Sequence, residues 1–328
     1  TFLTARAGDE LHVLALSGGG QNGAFGAGVL EGWRSAGRPR FDVVTGISTG
    51  ALQATHAFLD TPADDVALGR AYTQSSSRDI YCPRAPVAVV FGAALNNFTP
   101  LRHFISRLID DATIDRVAVA SAGSRRLLLV GTTNLDSGKL AIWDLGDLAR
   151  TRNYRRYREV IFASASPPIF AEPVFLDGNM HTDGSVISQI FVPNPEEHLT
   201  PQKLASYRAL AEARSPGKGT RLTVDVIVNG LLSNRPKRIA HGAIPIGERT
   251  VDIGLTSAAI GSLWYVHGLA TSRHAPFRLV AIPEARRAAA EDSLAFDAAW
   301  MRTLHAAGVE LGRAPASWMT TPPAIDED

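Results

Sequence analysis

The sequence predicts an α/β fold with a mainly parallel central sheet. Two short apolar segments, 12–17 (HVLALS) and 41–45 (FDVVT), each stop at a glycine, which is typical of buried parallel strands that enter tight turns. A helical pattern follows each of them. Strand, turn and helix therefore occur twice in succession, and the right-handed crossovers that this requires place helices on both faces of a sheet. The 328 residues are enough to bury the core of one such domain.

The remaining elements follow from the same patterns. The first helix is predicted from Ala24 to Trp33 and ends before Gly37 and Pro39, and the second spans 49–59. Further strands are predicted at 126–133, 139–144, 173–176, 181–182, 222–229 and 277–282, and further helices at 157–166, 251–269 and 293–311. Residues 84–95 are apolar at their centre, which predicts a buried helix or strand or, alternatively, a lid that contacts lipid.

Charge and composition narrow the possible partners. Lys and Arg total 33 against 32 Asp and Glu, so the protein as a whole has no net field that attracts nucleic acid. The single Cys82 excludes an intrachain disulfide and a cysteine-cluster metal site. The most apolar stretch, 251–270, carries several polar residues, and we interpret it as a buried or half-buried helix. We therefore expect no nucleic-acid partner and no transmembrane span in this chain.

Ser48 is the candidate nucleophile. It stands in the pentapeptide Gly46-Ile47-Ser48-Thr49-Gly50, between the second predicted strand and the second predicted helix. Gly46 and Gly50 allow the sharp turn of a nucleophile elbow, which lifts the serine hydroxyl clear of the sheet and next to the first N–H groups of the helix. The G-x-S-x-G pattern is common by chance, but its strand-turn-helix setting favours a nucleophilic serine.

A glycine-rich loop follows the first strand. The run from Gly18 to Gly23 (GGGQNG) opens a helix, and consecutive glycines expose backbone N–H groups that suit the oxyanion of a tetrahedral intermediate. The same run reads as G-x-G-x-x-G with Asp42 about twenty residues later, which is the fingerprint of a dinucleotide site. Only a hydrolase, however, explains the second glycine-flanked turn with a serine at its apex.

The third motif is Asp183-Gly184. An acid at a strand end followed by glycine is a frequent turn and by itself says little about catalysis. A nucleophilic serine needs a base, however, and the usual base is a histidine held by an acid. None of the nine histidines lies in a context that marks it as such a base. His181 is close to Asp183 in sequence, but residues two apart on a strand do not form a serine-histidine-acid line.

In this order, the glycine-rich loop, the G-x-S-x-G elbow and the late Asp-Gly resemble the patatin-like phospholipase family, as found in bacterial patatin-like acyl hydrolases. Residues 163–170 (ASASPPIF) and the helix around Phe296 to Gly308 are similar to further family segments. The resemblance covers residues 11–195 as a catalytic core. Residues 196–312 would complete the same domain, and residues 313–328 are expected to be a frayed tail.

The resemblance implies a three-layer α/β/α fold and a metal-independent serine acyl hydrolase: a phospholipase A, a lysophospholipase or a lipid esterase. It makes Ser48 the nucleophile and Asp183 the proton acceptor of a Ser-Asp dyad. Gly18, Gly19 and Gly20 would provide the N–H groups of the oxyanion hole. We expect no cofactor, no metal, and a lipid or acyl-ester substrate met at a membrane or lipid aggregate. A carboxylate is a weak base unless its pKa is raised, so Asp183 should be partly desolvated.

The sequence departs from the family pattern at two places. Gln21-Asn22 stand where many members have a basic residue, and Ser185 stands where the family prefers Gly or Ala. A non-catalytic lipid- or partner-binding scaffold of the same fold is the alternative, with a dinucleotide-binding enzyme as a further one. A processed precursor or a deliberately shortened chain would explain the start at Thr1. The first explanation slightly favours a bacterial envelope or secreted location over the cytoplasm.

Overall fold

An eight-stranded β-sheet forms the centre of the fold. The computed structural model describes residues 10–84, 94–122, 126–193, 221–234, 236–290 and 292–324. The strands are β1 (Glu10–Leu16), β2 (Val43–Ile47), β3 (Cys82–Pro83), β4 (Asn96–Asn97), β5 (Leu127–Asn134), β6 (Lys139–Asp144), β7 (Val174–Leu176), β8 (Asn179–Asp183), β9 (Arg221–Val228) and β10 (Phe277–Ala281). The helices are α1 (Gly23–Ser35), α2 (Thr49–Leu59), α3 (Pro62–Thr73), α4 (Ser77–Ile80), α5 (Thr99–Leu108), α6 (Asp111–Ser121), α7 (Leu145–Arg150), α8 (Tyr154–Ser164), α9 (Ala243–Ser272), α10 (Arg287–Ala290) and α11 (Ala298–Gly312).

Parallel pairing dominates the main sheet. Its strands lie in the order β10-β9-β1-β2-β5-β8-β7, and β6 also pairs with β5. The pairs from β10 to β5 are parallel, whereas β6 and β8 run antiparallel to β5 and β7 runs antiparallel to β8. The short turn at 136–138 explains the antiparallel β5–β6 pair, because a parallel connection would need a long crossover. The predicted mainly parallel α/β fold is confirmed.

Two strands, β2 and β8, pair with β5 one after the other along the same edge. On one side β6 pairs with residues 129–134 of β5. On the other side β2 pairs with residues 127–131, and β8 pairs with residues 132–134. The end of β2 therefore meets the end of β8 beside the middle of β5. This meeting point brings together two segments that lie far apart in sequence.

Helices cover both faces of the sheet. On one face a large core includes Trp33 of α1, Phe58 of α2 and Tyr157 of α8, all fully buried. On the other face Leu263 and Val266 of α9 pack on β1, β9 and β10. Burial of each large apolar side chain contributes about 1.5–3 kcal/mol. Strands β9 and β10, which come after residue 195, lie in the same sheet as the first strands.

The helices α1 and α11 pack in close contact. A Cβ atom on Gly28 of α1 would lie 2.1 Å from the carbonyl oxygen of His305, and one on Gly308 of α11 would lie 2.1 Å from that of Phe25. Any side chain at these two positions would force the helices apart. The glycines within α1 therefore allow this close helix packing, whereas those before the helix form the loop.

The C-terminal part of the structure differs in three details from what the sequence predicts. The helix predicted at 251–269 is longer than expected (Ala243–Ser272), and among the described residues no helix has both the length and the apolarity needed to span a bilayer. The helix predicted from 293 begins at Ala298, because the Asp297 carboxylate caps it by accepting from the N–H of Ala299. In the tail that was expected to be frayed, Trp318 is buried and Met319 pairs with Leu279 of β10.

Most of the segment 84–95, for which the sequence predicts a buried helix or strand or, alternatively, a lid, lies outside the described residues.

Candidate active site

Ser48 lies at the turn between β2 and α2 in a strained backbone conformation. Its φ of 54° and ψ of −121° are unusual for a residue with a side chain. The turn is also crowded, because a Cβ atom on Gly46 would lie 2.4 Å from the carbonyl oxygen of Gly50. The predicted strand-turn-helix elbow is therefore present, and its two flanking glycines approach each other closely.

A buried serine from another helix holds this turn. The backbone N–H of Ser48 donates to Oγ of Ser164 at 2.9 Å, and that hydroxyl donates to the carbonyl oxygen of Gly131 on β5 at 2.7 Å. Ser164 is completely buried at the end of α8. Sequence reasoning did not single it out, although it lies in the stretch of small residues before Pro167 and Pro168. The only local signal was that stretch.

Asp183 reaches Ser48 because of the register of β5. Ile47, the last residue of β2, pairs with Gly131, and Asp183, the last residue of β8, pairs with Thr132. The two strands thus end at neighbouring positions of β5. As a result Oγ of Ser48 lies 2.6 Å from Oδ2 of Asp183 and donates a hydrogen bond to it, across 135 positions of sequence.

The Asp183 carboxylate is almost completely buried, with 4% of the residue exposed. Burial raises the pKa of Asp183 to about 6, although hydrogen bonds from Ser48 and Ser185 lower it. Its second oxygen, Oδ1, accepts the backbone N–H of Ser185 at 2.8 Å. The predicted desolvation is present: the carboxylate is a stronger base than a solvated aspartate, and it is ionised at neutral pH.

Among the histidines that the structure describes, none hydrogen-bonds to Ser48. His181 is buried on β8, and its Nδ1 pairs with the Thr132 hydroxyl at 2.9 Å, where the Trp143 indole also donates. Burial and the nearby Arg156 lower the pKa of His181, which favours its neutral form. His181 is therefore a buried structural residue whose ring is hydrogen-bonded to Thr132.

The glycine-rich loop lies beside Ser48. Gly18 approaches Cβ of Ser48, and the loop passes between the backbone carbonyls of Asn229 and Ser293. The N–H of Gly18, the first of the three glycines predicted for the oxyanion hole, donates to the carbonyl oxygen of Gln189 at 3.3 Å. Within the described residues, the N–H groups of Gly19 and Gly20 have no acceptor. Those two remain candidates to bind an oxyanion.

Gln21 and Asn22 fasten this loop to the C-terminal segment at 290–297. The Gln21 side chain donates to the carbonyl oxygen of Asp292, and its Oε1 accepts the N–H of Asp297 at 2.8 Å. The Asn22 amide donates to the carbonyl oxygen of Ala290 at 3.0 Å. The two residues that depart from the family pattern therefore have a structural role. Sequence reasoning did not find it, because the partners lie some 270 positions away.

A second set of buried amides holds the other side of the loop. The Asn229 side chain donates to the carbonyl oxygen of Ser17 at 2.9 Å and to Oε1 of Gln53 at 3.1 Å, and it accepts the N–H of Gly26. Gln53, on α2, donates to the carbonyl oxygen of Gly23 at 2.6 Å. Asn229 and Gln53 are completely buried, and nothing in the sequence pattern marked them as part of the site.

Ser48 and Asp183 open into a cavity of about 460 Å³. Much of its lining is apolar and comes from several helices and loops: Leu52, Tyr72, Phe98, Leu101, Phe104, Phe170, Leu255 and Met301. Polar side chains also line it, among them Arg249 and Asp252 of α9, which pair at 2.7 Å. The cavity has the character of a site for an apolar ligand with a polar end.

The position of Asp42 does not support the alternative of a dinucleotide-binding site. Asp42 lies before β2, and its carboxylate accepts the N–H of His12 near the start of β1. In a dinucleotide site the acid lies at the other end of the strand, on the side of the glycine loop. In the described part of the chain, no group of three His, Cys, Asp or Glu side chains could hold a metal ion.

None of the curated protein sequences compared with the chain matches it. Among solved structures, VipD from Legionella pneumophila is similar at 12% identity and a TM-score of 0.37, over 92% of this chain and 67% of the VipD chain. The family model described as patatin-like phospholipase matches residues 14–194. This range is more than half of the chain and includes the glycine-rich loop, Ser48 and Asp183. The chain belongs to the patatin-like phospholipase family, whose members are lipid acyl hydrolases.

Proposed function

We propose that this protein is a metal-independent serine acyl hydrolase acting on lipid esters, as a phospholipase A, a lysophospholipase or a lipid esterase. The observation that carries the proposal is the 2.6 Å hydrogen bond from Ser48 to the buried Asp183 at a largely apolar cavity. Ser48 is the nucleophile, and Asp183 is its base. The Ser-Asp dyad needs no histidine, because burial makes the carboxylate basic enough.

The first half-reaction acylates Ser48. As Oγ attacks the ester carbonyl carbon, its proton moves to Oδ2 of Asp183, and the carbonyl oxygen takes the negative charge of the tetrahedral intermediate. The N–H groups of Gly19 and Gly20 donate to that oxygen, together with the first N–H groups of α2. When the carbon–oxygen bond to the alcohol breaks, Asp183 returns the proton to the leaving oxygen.

The second half-reaction hydrolyses the acyl enzyme. A water molecule gives its proton to Asp183 and attacks the same carbonyl carbon, and the same N–H groups stabilise the second intermediate. Collapse of that intermediate expels Oγ of Ser48, which takes back the proton from Asp183. The carboxylate is ionised at the start and at the end of each cycle, and no redox step or further reactant is needed.

We further propose that the cavity binds the acyl chain and that residues after 195 complete the catalytic domain. In support, the apolar lining extends from Leu52 to Met301, and α9 contributes Leu255 and Ala259. A lipid aggregate or membrane surface would supply such a substrate, because acyl chains of this kind are poorly soluble in water.

Two substitutions test the dyad. We expect Ser48→Ala and Asp183→Asn to reduce kcat/KM on a short-chain nitrophenyl ester by about 10⁴-fold or more, as when one member of a catalytic unit is removed. Matched controls are Ser106→Ala and Asp147→Asn, which make the same chemical changes at exposed positions and should retain full activity. Full activity in either dyad variant would refute the assignment.

A fluorophosphonate probe separates this proposal from the scaffold alternative. Such a probe reacts with an activated serine hydroxyl, so we expect one label on the wild-type chain, at Ser48, and none on Ser48→Ala. A folded wild-type protein that stays unlabelled and inactive on every ester tried would favour a non-catalytic scaffold. A thermal stabilisation by NAD would favour a dinucleotide site instead.

A further inference from the structure

A second concave surface, apart from the catalytic cavity, lies between α5 and α8. It has a volume of about 730 Å³, and no described residue lines both it and the catalytic cavity. We call this surface the arginine groove, because arginines outnumber carboxylates in it by two. Its charged side chains belong to α5, α6, α8 and the turn before α8: Arg102, Asp111, Arg152, Arg155, Arg158 and Glu159.

Two of the four guanidinium groups are neutralised within the groove. Arg155 pairs with Glu159 at 2.8 Å, and Arg158 pairs with Asp111. The other two arginines, at positions 102 and 152, have no carboxylate within ion-pairing distance among the described residues. The excess positive charge of the groove is therefore located on these two side chains.

The guanidinium group of Arg102 is stacked on an aromatic ring, and its N–H groups are unused. Its Cζ lies 3.7 Å from the centre of the Phe162 ring, which covers one face of the group. The side chain makes no hydrogen bond to a described residue. Partial burial lowers the pKa of Arg102, and the nearby Glu159 offsets only part of this effect. The N–H groups lie in the plane of the guanidinium, where they can donate to an anion.

Arg152 occupies a backbone position that favours glycine. The helix α7 ends in a Schellman motif, in which the N–H of Asn153 donates to the carbonyl oxygen of Leu148 at 2.9 Å and the N–H of Arg152 to that of Ala149 at 3.0 Å. This motif needs a left-handed residue, and Arg152 supplies it with a φ of 54°. An arginine is strained there, which points to a role for its side chain.

We propose that the arginine groove is a binding site for a phosphate group. Two guanidinium groups without a carboxylate partner match a dianion, and a phosphate monoester carries about two negative charges at neutral pH. The planar N–H groups of arginine fit phosphate oxygens, and an anion would replace the water that burial removes from Arg102. The site uses neither Ser48 nor Asp183, so it does not depend on the proposed catalytic function.

The test is the binding of inorganic phosphate, measured by titration calorimetry at constant ionic strength with chloride as the replaced anion. We expect the wild-type protein to bind phosphate and Arg102→Met to bind it about tenfold more weakly, because a charge-assisted hydrogen bond is lost. Methionine keeps an apolar contact with Phe162. The matched control is Arg107→Met, the same change at an exposed position of α5 outside the groove, which should leave the affinity unchanged.

Arg152→Gly separates the loss of binding from a loss of stability. Glycine adopts a positive φ without strain, so we expect the Tm of this variant to equal or exceed that of the wild type. The guanidinium group is removed, so the affinity for phosphate should fall about tenfold. A loss of binding in a protein that is at least as stable does not come from unfolding.

Vesicles identify the source of the phosphate group, which a soluble phosphorylated molecule or a lipid head group could carry. The measurement is cosedimentation with vesicles of phosphatidylcholine alone and of phosphatidylcholine mixed with phosphatidic acid. Binding of inorganic phosphate without extra cosedimentation on the mixed vesicles would support a soluble ligand. Extra cosedimentation on the mixed vesicles that both groove variants lose would support a lipid head group.

Three outcomes would overturn the site. The wild-type protein could bind neither inorganic phosphate nor the mixed vesicles, or both groove variants could bind as the wild type does. An equal loss in Arg107→Met would mean that diffuse surface charge attracts the anion. Labelling of Ser48 by a fluorophosphonate needs none of these arginines, so it tests the catalytic proposal separately in the same variants.

Discussion

At the residue scale, the site combines two features that oppose stability. Ser48 has a strained backbone with positive φ, and Asp183 is a carboxylate buried without a positively charged partner among the described side chains. Such features persist only where the surrounding structure holds them. Here the strained turn is held by Ser164, and the carboxylate is held by hydrogen bonds from Ser48 and Ser185.

Ser164→Ala tests the support of the turn. The variant leaves the N–H of Ser48 buried without its acceptor, so we expect the free energy of unfolding to fall by about 1–3 kcal/mol. We also expect kcat to fall about tenfold with little change in KM, because the nucleophile loses its exact position. Denaturant unfolding and ester kinetics measure the two effects.

Ser121→Ala is the matched control for this change. Ser121 is also a buried helical serine, but its hydroxyl donates only to the carbonyl oxygen of Val117, one turn earlier in α6. We expect its loss to have a small effect on stability and none on kcat. If both variants behaved alike, Ser164 would have no special role at Ser48.

At the element scale, the close contact between α1 and α11 joins the beginning of the chain to its end. The loop before α1 contains Gly19 and Gly20, and the segment before α11 binds Gln21. Glycines at the helix contact let the two backbones approach, which sets the position of both segments. The packing of two helices thus supports the loop that we propose as the oxyanion hole.

Gly308→Ala tests this contact, and Gly261→Ala on another helix is its control. We expect the two substitutions to change the free energy of unfolding in opposite directions. In Gly308→Ala the new Cβ would lie 2.1 Å from the carbonyl oxygen of Phe25, so the helices must separate. We expect a loss of about 1–3 kcal/mol in the free energy of unfolding, as for overpacking. In Gly261→Ala, on α9, nothing lies within 4 Å of the new Cβ, and helix propensity should stabilise the protein by about 1 kcal/mol.

Thermal or denaturant unfolding of both variants at one pH is the measurement. A stable Gly308→Ala protein with an unchanged transition would show that α1 and α11 are not held at the distance described above.

At the scale of the whole molecule, the buried base links folding to pH. The pKa of Asp183 is raised from 3.8 to about 6 on folding, so between these values the folded state binds more protons than the unfolded state. The contribution of Asp183 to the free energy of unfolding is therefore largest below about pH 4, and it is lost as the pH rises through 6. The protein is less stable at neutral pH than it would be with a neutral group at this position.

Asp183→Asn should therefore stabilise the protein while it abolishes activity. We expect the variant to gain about 1–3 kcal/mol over the wild type at pH 7, with a difference that shrinks towards zero near pH 4. Unfolding of both proteins across this range checks the sign. A difference that does not depend on pH would mean that Asp183 is not a desolvated carboxylate in the folded protein.

Much of the fold could be predicted from the sequence because the information is local. Apolar periodicity and glycines located β1, β2, β5, β6, β9 and β10 within a few residues. The second helix was predicted from Thr49 to about Leu59 and is observed at Thr49–Leu59. Helix ends were less predictable where a cap decided them, as at Asp297. The packed end of the chain at Trp318 was missed, because its partners come from distant elements.

The sequence by itself determined the α/β alternation, the serine at a glycine-flanked turn and the order of the three motifs, since each is a pattern of neighbouring residues. Only the tertiary structure decided that β2 and β8 end side by side on β5, which brings Ser48 to Asp183. It also decided that Gly18 is engaged while Gly19 and Gly20 are free within the described residues, and that Ser164, Gln53 and Asn229 support the site. The physical reason is that strand register and hydrogen-bond partners depend on residues that are far apart in the sequence, which no local pattern contains.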